Sequence, residues 1–232
     1  MQSWLDVRPV VLDEIVSLDG PGDLRTDLCS SCLKYPVSPL YRCLECSYGS
    51  LFCGECAVNS HQTMPLHRLE VCSSRTHAPL PTLTLSKCWR DGFFDRESLH
   101  SLGFVCYLGH GGAACPVDSL PHDIVVVDIN GWHRLRITFC ACGTGVSQPG
   151  HYRQLLRMRW YPASFNRPRT AFSFDLLETY HKVTLQGKLN LYDFYLAIMH
   201  KSDNEGRSKP MVRNLYSPFN YQHLQIQIVS LS

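Results

Sequence analysis

The stretch YRCLECSYGSLFCGEC, residues 41–56, places two C-x-x-C pairs, Cys43/Cys46 and Cys53/Cys56, within sixteen residues. A third pair, Cys29 and Cys32, lies upstream in LCSSC, and His61 and His67 follow. These are eight sulfur and imidazole donors in 39 residues. A tight C-x-x-C turn lets both thiolates reach one ion, and zinc takes four such donors tetrahedrally in a closed structural site. Eight donors therefore fill two sites. A loop-rich stretch of this length cannot hold itself together by burial alone, so the metal would supply folding free energy.

The rest of the chain bears on whether these thiols hold metal or form disulfides. It has 232 residues, 44% hydrophobic and 18% charged, enough to bury a core as one ordinary domain or two small ones. The N-terminal MQSWLDVRPVVLDEIVSLDG has no basic region followed by an apolar run, so it does not read as a secretory signal. No segment reaches the roughly 18–20 apolar residues needed to span a bilayer. The expected compartment is therefore intracellular and reducing, where cysteines are more often ligands or catalysts than disulfides. Twelve cysteines then point to metal. The net charge of +2 excludes neither a nucleic-acid nor a protein partner.

The donors can be shared in two ways. A sequential arrangement gives Cys29, Cys32, Cys43 and Cys46 one ion; an interleaved cross-brace takes alternate pairs. The spacing resembles ZZ-type and B-box-like zinc fingers, in which the first and third pairs combine and the histidines join the second. That resemblance implies Cys29, Cys32, Cys53 and Cys56 on one ion, with Cys43, Cys46, His61 and His67 on the other. A catalytic zinc keeps one coordination position open, and neither set leaves one. A thioredoxin-like C-x-x-C would need a βαβ setting that the sequence lacks.

A second donor group surrounds DIVVVDINGWHRLRITFCAC, residues 123–142. Residues 124–129 form an apolar run, and Leu135, Ile137 and Phe139 alternate with Arg134, Arg136 and Thr138. Asn130-Gly131 between them predicts a two-residue hairpin turn with both residues at positive φ, pairing Ile129 with Trp132. Cys140 and Cys142 then lie at the open end, where His110 and Cys115 can converge on them. His133 sits seven residues from Cys140, roughly 23 Å along an extended strand, too far for zinc bonds of about 2.0–2.3 Å. The expectation is a third zinc on His110, Cys115, Cys140 and Cys142, with Cys106 as a substitute and His133 near the turn. Cys72 and Cys88 are expected to stay free.

Elsewhere, residues 1–28 carry six acids against Arg8 and Arg25, with a short helix expected at 10–18. Residues 71–88 are rich in Ser, Thr and Pro, without period, and read as a linker or insertion. Two helices are predicted later. One places Phe172, Leu176, Leu177 and Tyr180 at helical spacing; the other, capped by Asn190 with Asp193 in its first turn, has Phe194, Tyr195, Ile198 and Met199 as its apolar stripe. Leu224, Ile226 and Ile228 alternate as an edge strand or a tail would. Between these lies HYRQLLRMRWYPASFNRPR, residues 151–169, with Arg153, Arg157, Arg159, Arg167 and Arg169, interleaved aromatics and no acid. Arginine suits phosphate and stacking, so this is the candidate DNA-binding surface, extended by Arg134 and Arg136. The same arginines can equally be the wet face of a segment whose Leu155, Leu156, Trp160 and Phe165 form core.

Taken in order, LYRCLECSYGSLFCGECAVNSHQTMPLHRLE, FFDRESLHSLGFVCYLGHGGAACP, VVVDINGWHRLRITFCACG, HYRQLLRMRWYPASFNRPRTAFSFDLLETYHKVTLQGKLNLYDFY and HKSDNEG resemble a fungal transposon family. The resemblance is to the cysteine-cluster region on the N-terminal side of Kyakuja-Dileera-Zisupton (KDZ) transposases, over about residues 5–207. It implies a zinc-binding, DNA-binding accessory region ahead of a DDE, RNase H-like catalytic domain that uses divalent metal. Two departures stand out: residues 71–88 interrupt the family's direct run into Trp89, and the likeness fades after about residue 209. A truncated or mis-spliced copy is one reading of both.

The sequence thus predicts an α+β chain of small zinc-stabilised modules followed by helices. Its parts are an acidic segment 1–28, a two-zinc finger 29–70, an insertion 71–88, a cysteine-cluster β module 89–150, basic and helical residues 151–207, and a tail 208–232. A DDE site needs carboxylates converging on paired metals; Asp91, Asp95, Asp128, Asp175 and Asp203 sit in separate contexts, so no enzyme activity is expected. The expected location is nuclear, and the expected partner is DNA, with no membrane and no small-molecule substrate. A protein-interaction module is the alternative, and a transposon remnant without function a third.

Overall fold

The structure is a computed structural model of the chain, and the described residues are 2–17, 28–35, 39–72, 88–90, 93–142 and 150–202. Expectations about Leu18, Asp203 and the tail from 203 onward, including Leu224, Ile226 and Ile228, lie outside the described residues. So do the side chains of Cys72 and Cys88. The chain divides into two compact units, Met1–Gly103 and Phe104–Ser232.

The first unit begins with helix α1, Gln2–Ser17, which starts well before the short helix expected at 10–18 and runs through Pro9. Proline removes one N–H from its ladder. A five-stranded antiparallel sheet follows, built from β1 (Leu40–Cys43), β2 (Leu51–Phe52), β3 (Leu69–Cys72), β4 (Cys88–Arg90) and β5 (Phe93–Glu97) in the order β2-β1-β3-β5-β4. β1 pairs Tyr41 with Phe52 on one side and Cys43 with Leu69 on the other. Helix α2, Gly54–Ser60, starts directly after Cys53 and buries Ala57. One buried cluster here joins Cys29, Leu40 and Leu51, with Phe52, Cys53 and Cys56 against it. Three of those six are cysteines. The cysteines of the knuckles are thus part of what this cluster buries.

The second unit is a five-stranded mixed sheet carrying helices. Its strands are β6 (Val105–Leu108), β7 (His122–Asp128), β8 (Gly131–Phe139), β9 (Trp160–Pro162) and β10 (Thr170–Ser173), in the order β6-β8-β7-β10-β9. β7 and β8 are antiparallel; β6 lies parallel to β8, and β10 parallel to β7. The alternation read in β8 holds, with Leu135, Ile137 and Phe139 buried and Arg134 and Arg136 outside. Among the described residues the unit also carries helices α3 (His151–Arg157), α4 (Phe174–Gly187) and α5 (Leu191–Ser202). One buried cluster of its core joins Val127, Tyr161 and Phe172 to Leu176, Leu177 and Tyr180 of α4 and Phe194 and Ile198 of α5.

Caps set the helix starts. Ser173 Oγ accepts the Leu176 N–H at 3.1 Å, and its own proton goes to the Asp128 carboxylate. Asn190 Oδ1 accepts the Asp193 N–H at 2.8 Å, the cap read from the sequence.

Two local expectations are corrected. Phe172 is not on the helix; it lies in β10, opposite Val127 and Tyr161, because strand pairing claims the residues before the Ser173 cap. The β7–β8 turn is also shifted by one residue. Asp128 pairs with Gly131 and Val127 with Trp132, leaving Ile129 and Asn130 as the loop. Only Gly131, at φ 139°, has positive φ there. The cause is α5: Ser202 Oγ accepts the Trp132 N–H at 2.7 Å, and Lys201 Nζ donates to the Ile129 carbonyl at 2.9 Å. Among the described residues no helix is long and apolar enough to cross a membrane.

Candidate metal centres

Three groups of four donors converge, each with its donor atoms within 4.8 Å of one another. The first is Cys29, Cys32, Cys53 and Cys56; the second is Cys43, Cys46, His61 and His67; the third is His110, Cys115, Cys140 and Cys142. The first two are interleaved along the chain. β1 and β2 explain why: their antiparallel pairing brings the end of the 29–32 knuckle beside Cys53, while Cys43 is carried to the opposite end of β1, across from Leu69. Ser30 N donates to the Leu51 carbonyl at 2.7 Å and Leu51 N to Ser30 Oγ at 3.2 Å, which fastens that knuckle to β2.

The separations suit one ion per group. Cys43 Sγ and Cys46 Sγ each stand 3.4 Å from His67 Nδ1, and Cys46 Sγ stands 3.5 Å from His61 Nε2. In the third group Cys140 and Cys142 are 3.3 and 3.4 Å from His110 Nε2, and Cys115 is 3.3 Å from Cys142 and 3.8 Å from Cys140. A tetrahedron with zinc–sulfur and zinc–nitrogen bonds has edges of about 3.5–3.8 Å. A disulfide needs about 2.05 Å, and all these cysteines are free. Soft sulfur and borderline nitrogen, without any carboxylate, form the donor set expected for zinc.

The surroundings prepare the donors. His61 is buried, and its Nδ1 lies 2.7 Å from the Ala57 carbonyl. Nδ1–H therefore donates there, and the Nε2 lone pair faces the thiolates. Backbone amides donate to the sulfurs in the knuckles, Cys53 N to Cys29 at 3.3 Å and Cys46 N to Cys43 at 3.4 Å. Burial resists ionisation of Cys29, but the backbone donors at Cys32, Cys53 and Ser31 prevail and bring its thiol down to about 6. In the third group Cys115 is likewise brought to about 6, against the effect of burial, by the N–H groups of Ala141 and Val117. Cys43 goes the other way: burial pushes it up to about 12, so a cation is needed to deprotonate it.

Residues outside the donor sets hold these groups in place, and the sequence reading missed them. Glu45, between Cys43 and Cys46, accepts from Arg68 N at 2.7 Å and Arg68 Nε at 2.6 Å, tying the second knuckle to the residue after His67. A glutamate inside a C-x-E-C knuckle was the available signal. Ser119 Oγ donates to the Phe139 carbonyl at 2.6 Å, which anchors the loop bearing Cys115 to the end of β8. Gly109 lies so close that a Cβ there would stand 2.7 Å from Cys140 Cβ. Gln154 grips Cys140 from α3; nothing in HYRQLLR distinguishes that glutamine from a surface residue.

The remaining candidates are placed as follows. Cys106 is buried in β6, opposite Ile137, and takes no part in the third group. His133 Nε2 bonds Asn130 Oδ1 at 2.7 Å in the turn. Arg134 and Arg136 both reach Asp123, at 2.8 and 3.7 Å. Arg159, at φ 59°, meets Asp175 at 3.3 Å and Glu178 at 3.7 Å, with its guanidinium 5.5 Å from the Phe174 ring centroid. Arg153 lies against Tyr152, its Nε donating to the phenol oxygen at 3.1 Å. Arg157, Arg167 and Arg169 are exposed and meet no carboxylate among the described residues. Leu155, Trp160 and Tyr161 from the same segment are core, whereas Phe165 is exposed. Asp128 is spent on Ser173 and Asp175 on Arg159.

No curated protein and no solved structure matches the chain. The resemblance read over about residues 5–207 is matched over a shorter span, which takes in the whole third donor group and leaves the first two outside it. Residues 99–206 match the family model of the CxC2-like cysteine cluster associated with KDZ transposases.

Proposed function

We propose that this chain is a zinc-binding, DNA-contacting accessory region of KDZ-type transposition, loaded with three zinc ions and acting in the nucleus. The observation that carries the reading is the arginine-rich run 151–169: five exposed arginines without an intervening acid, carried on α3 and the residues after it. Arginine presents a planar fork to phosphate, and a concentrated basic run is the footprint of a nucleic-acid binder. The placement narrows the contact set. Arg134, Arg136 and Arg159 already face carboxylates, so Arg157, Arg167 and Arg169 lead, with Arg153 beside them.

The zinc ions are structural in this reading. The three metal-capable groups among the described residues are Cys/His sets of four, which leave no open coordination position for substrate. Strand cleavage and joining are accordingly assigned to a DDE catalytic domain and not to these three groups. Cleavage of transposon ends by the purified chain with Mg²⁺ would overturn that assignment.

The direct test is duplex DNA binding by the zinc-loaded chain across a salt series. Each phosphate contact contributes a slope of about 0.9 in log K against log salt. The triple variant R157A/R167A/R169A is expected to lose roughly two to three units of slope. An unchanged affinity and slope would sink the DNA-contacting reading.

A second reading has its own support in the first unit. Leu33, Tyr35 and Tyr48 are 71%, 73% and 95% exposed beside the knuckles, and Leu33 and Tyr48 adopt positive φ. Large apolar side chains held in water on strained backbone favour a peptide or protein partner for that unit. Retained DNA binding by the variant L33S/Y35S/Y48S would assign these residues away from DNA.

A further inference from the structure

The third donor group is joined to α3 through two consecutive residues at the end of β8. Phe139 stacks on His151, the first residue of α3, with ring centroids 3.9 Å apart and planes 5° from parallel. Cys140, the next residue and a member of the group, is held by Gln154 at both backbone positions. Its N–H donates to Oε1 at 2.8 Å, and Nε2 donates to its carbonyl at 3.0 Å. Gln154 is only 3% exposed, so water does not compete for either arm.

A carboxamide bonded to both backbone groups of one residue does what a neighbouring strand would do. It continues the sheet's restraint one residue past β8, at the point where the Cys140 thiol must aim at the ion. Turning Cys140 away from the other donors would break both bonds at a buried carboxamide, which is costly. On the other side the backbone of Gly109 passes so close that a Cβ at that position would stand 2.7 Å from Cys140 Cβ.

This group also differs from the other two in access. The first group contains the fully buried Cys29 beside an exposed Cys32, and the second contains the buried Cys43 and His61. The third has an exposed His110 and three half-buried cysteines, with no buried donor. An ion there is the one most open to exchange. The helix that Gln154 belongs to carries Arg153 and Arg157.

We infer that Gln154 is the positioning residue of the third metal group, and that metal occupancy there is thermodynamically linked to the docking of α3. An ion on His110, Cys115, Cys140 and Cys142 then sets the placement of the basic helix. Linkage is reciprocal: what α3 contributes to metal affinity, the metal returns to α3. The consequence for DNA rests on the DNA-contacting reading above, whereas the linkage itself does not.

The test uses the full zinc-loaded chain and zinc as the probe. Gln154→Met keeps length and removes both hydrogen bonds. Chelator titration followed by native mass spectrometry should show one of three ions released about tenfold more readily, the usual range for loss of an outer-shell partner being about 10–100-fold. The other two ions should be unaffected, which also reports that the chain is folded. Amide exchange over residues 151–157 should accelerate in Gln154→Met and in wild type stripped of one ion. A third ion held within about twofold of wild type, or exchange in α3 indifferent to the ion, overturns the inference. Should Gln154→Met fail to fold, His151→Phe and His151→Ala carry the test: the first retains the stack and the affinity, the second loses several-fold, and equal affinities overturn it. Linkage in exchange with duplex affinity indifferent to the ion would leave the inference standing and remove the DNA-contacting reading.

Discussion

Ser202 Oγ accepts the backbone N–H of Trp132 at 2.7 Å, so the last turn of α5 closes over the first residues of β8. A Cβ on Gly131 would collide with that same hydroxyl, and Gly131 stands at φ 139°. Gly131→Ala combines a steric clash with backbone strain and is expected to cost on the order of 2 kcal/mol or more. Ser202→Ala removes only the acceptor and should cost about 1 kcal/mol. Urea melts of the zinc-loaded chain measure both; no cost for Ser202→Ala would show that α5 does not constrain the turn.

The interleaved sharing of donors can be read as an ion count. Cys29→Ser/Cys53→Ser strikes one group twice and is expected to lose one zinc ion. Cys29→Ser/Cys43→Ser strikes two groups and is expected to lose two. Under sequential sharing the counts reverse, because Cys29 and Cys43 would then serve the same ion. Native mass spectrometry of the two proteins separates the arrangements.

Glu45 and Arg68 form a half-buried, two-pronged contact beside the second donor group, with Nε–Oε1 at 2.6 Å. Glu45→Ala is expected to weaken zinc at Cys43, Cys46, His61 and His67 by about tenfold, through loss of knuckle placement rather than loss of a ligand. Chelator competition checks it. Glu45→Gln, which keeps one acceptor, should fall between the two.

Cys106 is a thiol without a metal role. Burial pushes it up to about 12, so at pH 8 only about one molecule in ten thousand carries the reactive thiolate. Iodoacetamide is expected to leave it unmodified in the folded, zinc-loaded chain, and Cys106→Ala is expected to keep the full complement of ions. Loss of an ion in that variant would return Cys106 to the third group.

The His151 ring contributes a pH dependence of known sign. Burial, and then the neighbouring His122, lower its pKa from the ordinary 6.5. The unfolded chain thus takes up this proton at higher pH than the folded one, so the contribution is fully present above 6.5. It is lost as pH falls through the lowered folded value. The Tm of wild type relative to His151→Phe should therefore fall from pH 7 to pH 5, with metal release common to both proteins. A relative Tm that rises on acidification would contradict the lowered value.

The members of the three Cys/His groups that could hold metal were legible in local sequence because coordination chemistry is local. A C-x-x-C turn delivers two thiolates to one ion whatever surrounds it, and a Cys-x-Cys at a strand end needs only one neighbouring loop. The alternation of Leu135, Ile137 and Phe139 and the cap at Asn190 are equally local, each set by a periodicity or a hydrogen bond spanning a few residues. Tertiary structure decided the rest. Asn130-Gly131 by itself favours a turn centred on both residues, but Ser202 and Lys201, some seventy residues away, bind the next amide and carbonyl and shift the register. Phe172 has helical spacing with Leu176, yet its pairing with Val127 and Tyr161 puts it in a strand. Gln154 reads as a surface residue until α3 lies against Cys140. In each case the deciding partner is distant in the chain, and backbone groups buried by packing must find a hydrogen bond wherever the fold supplies one.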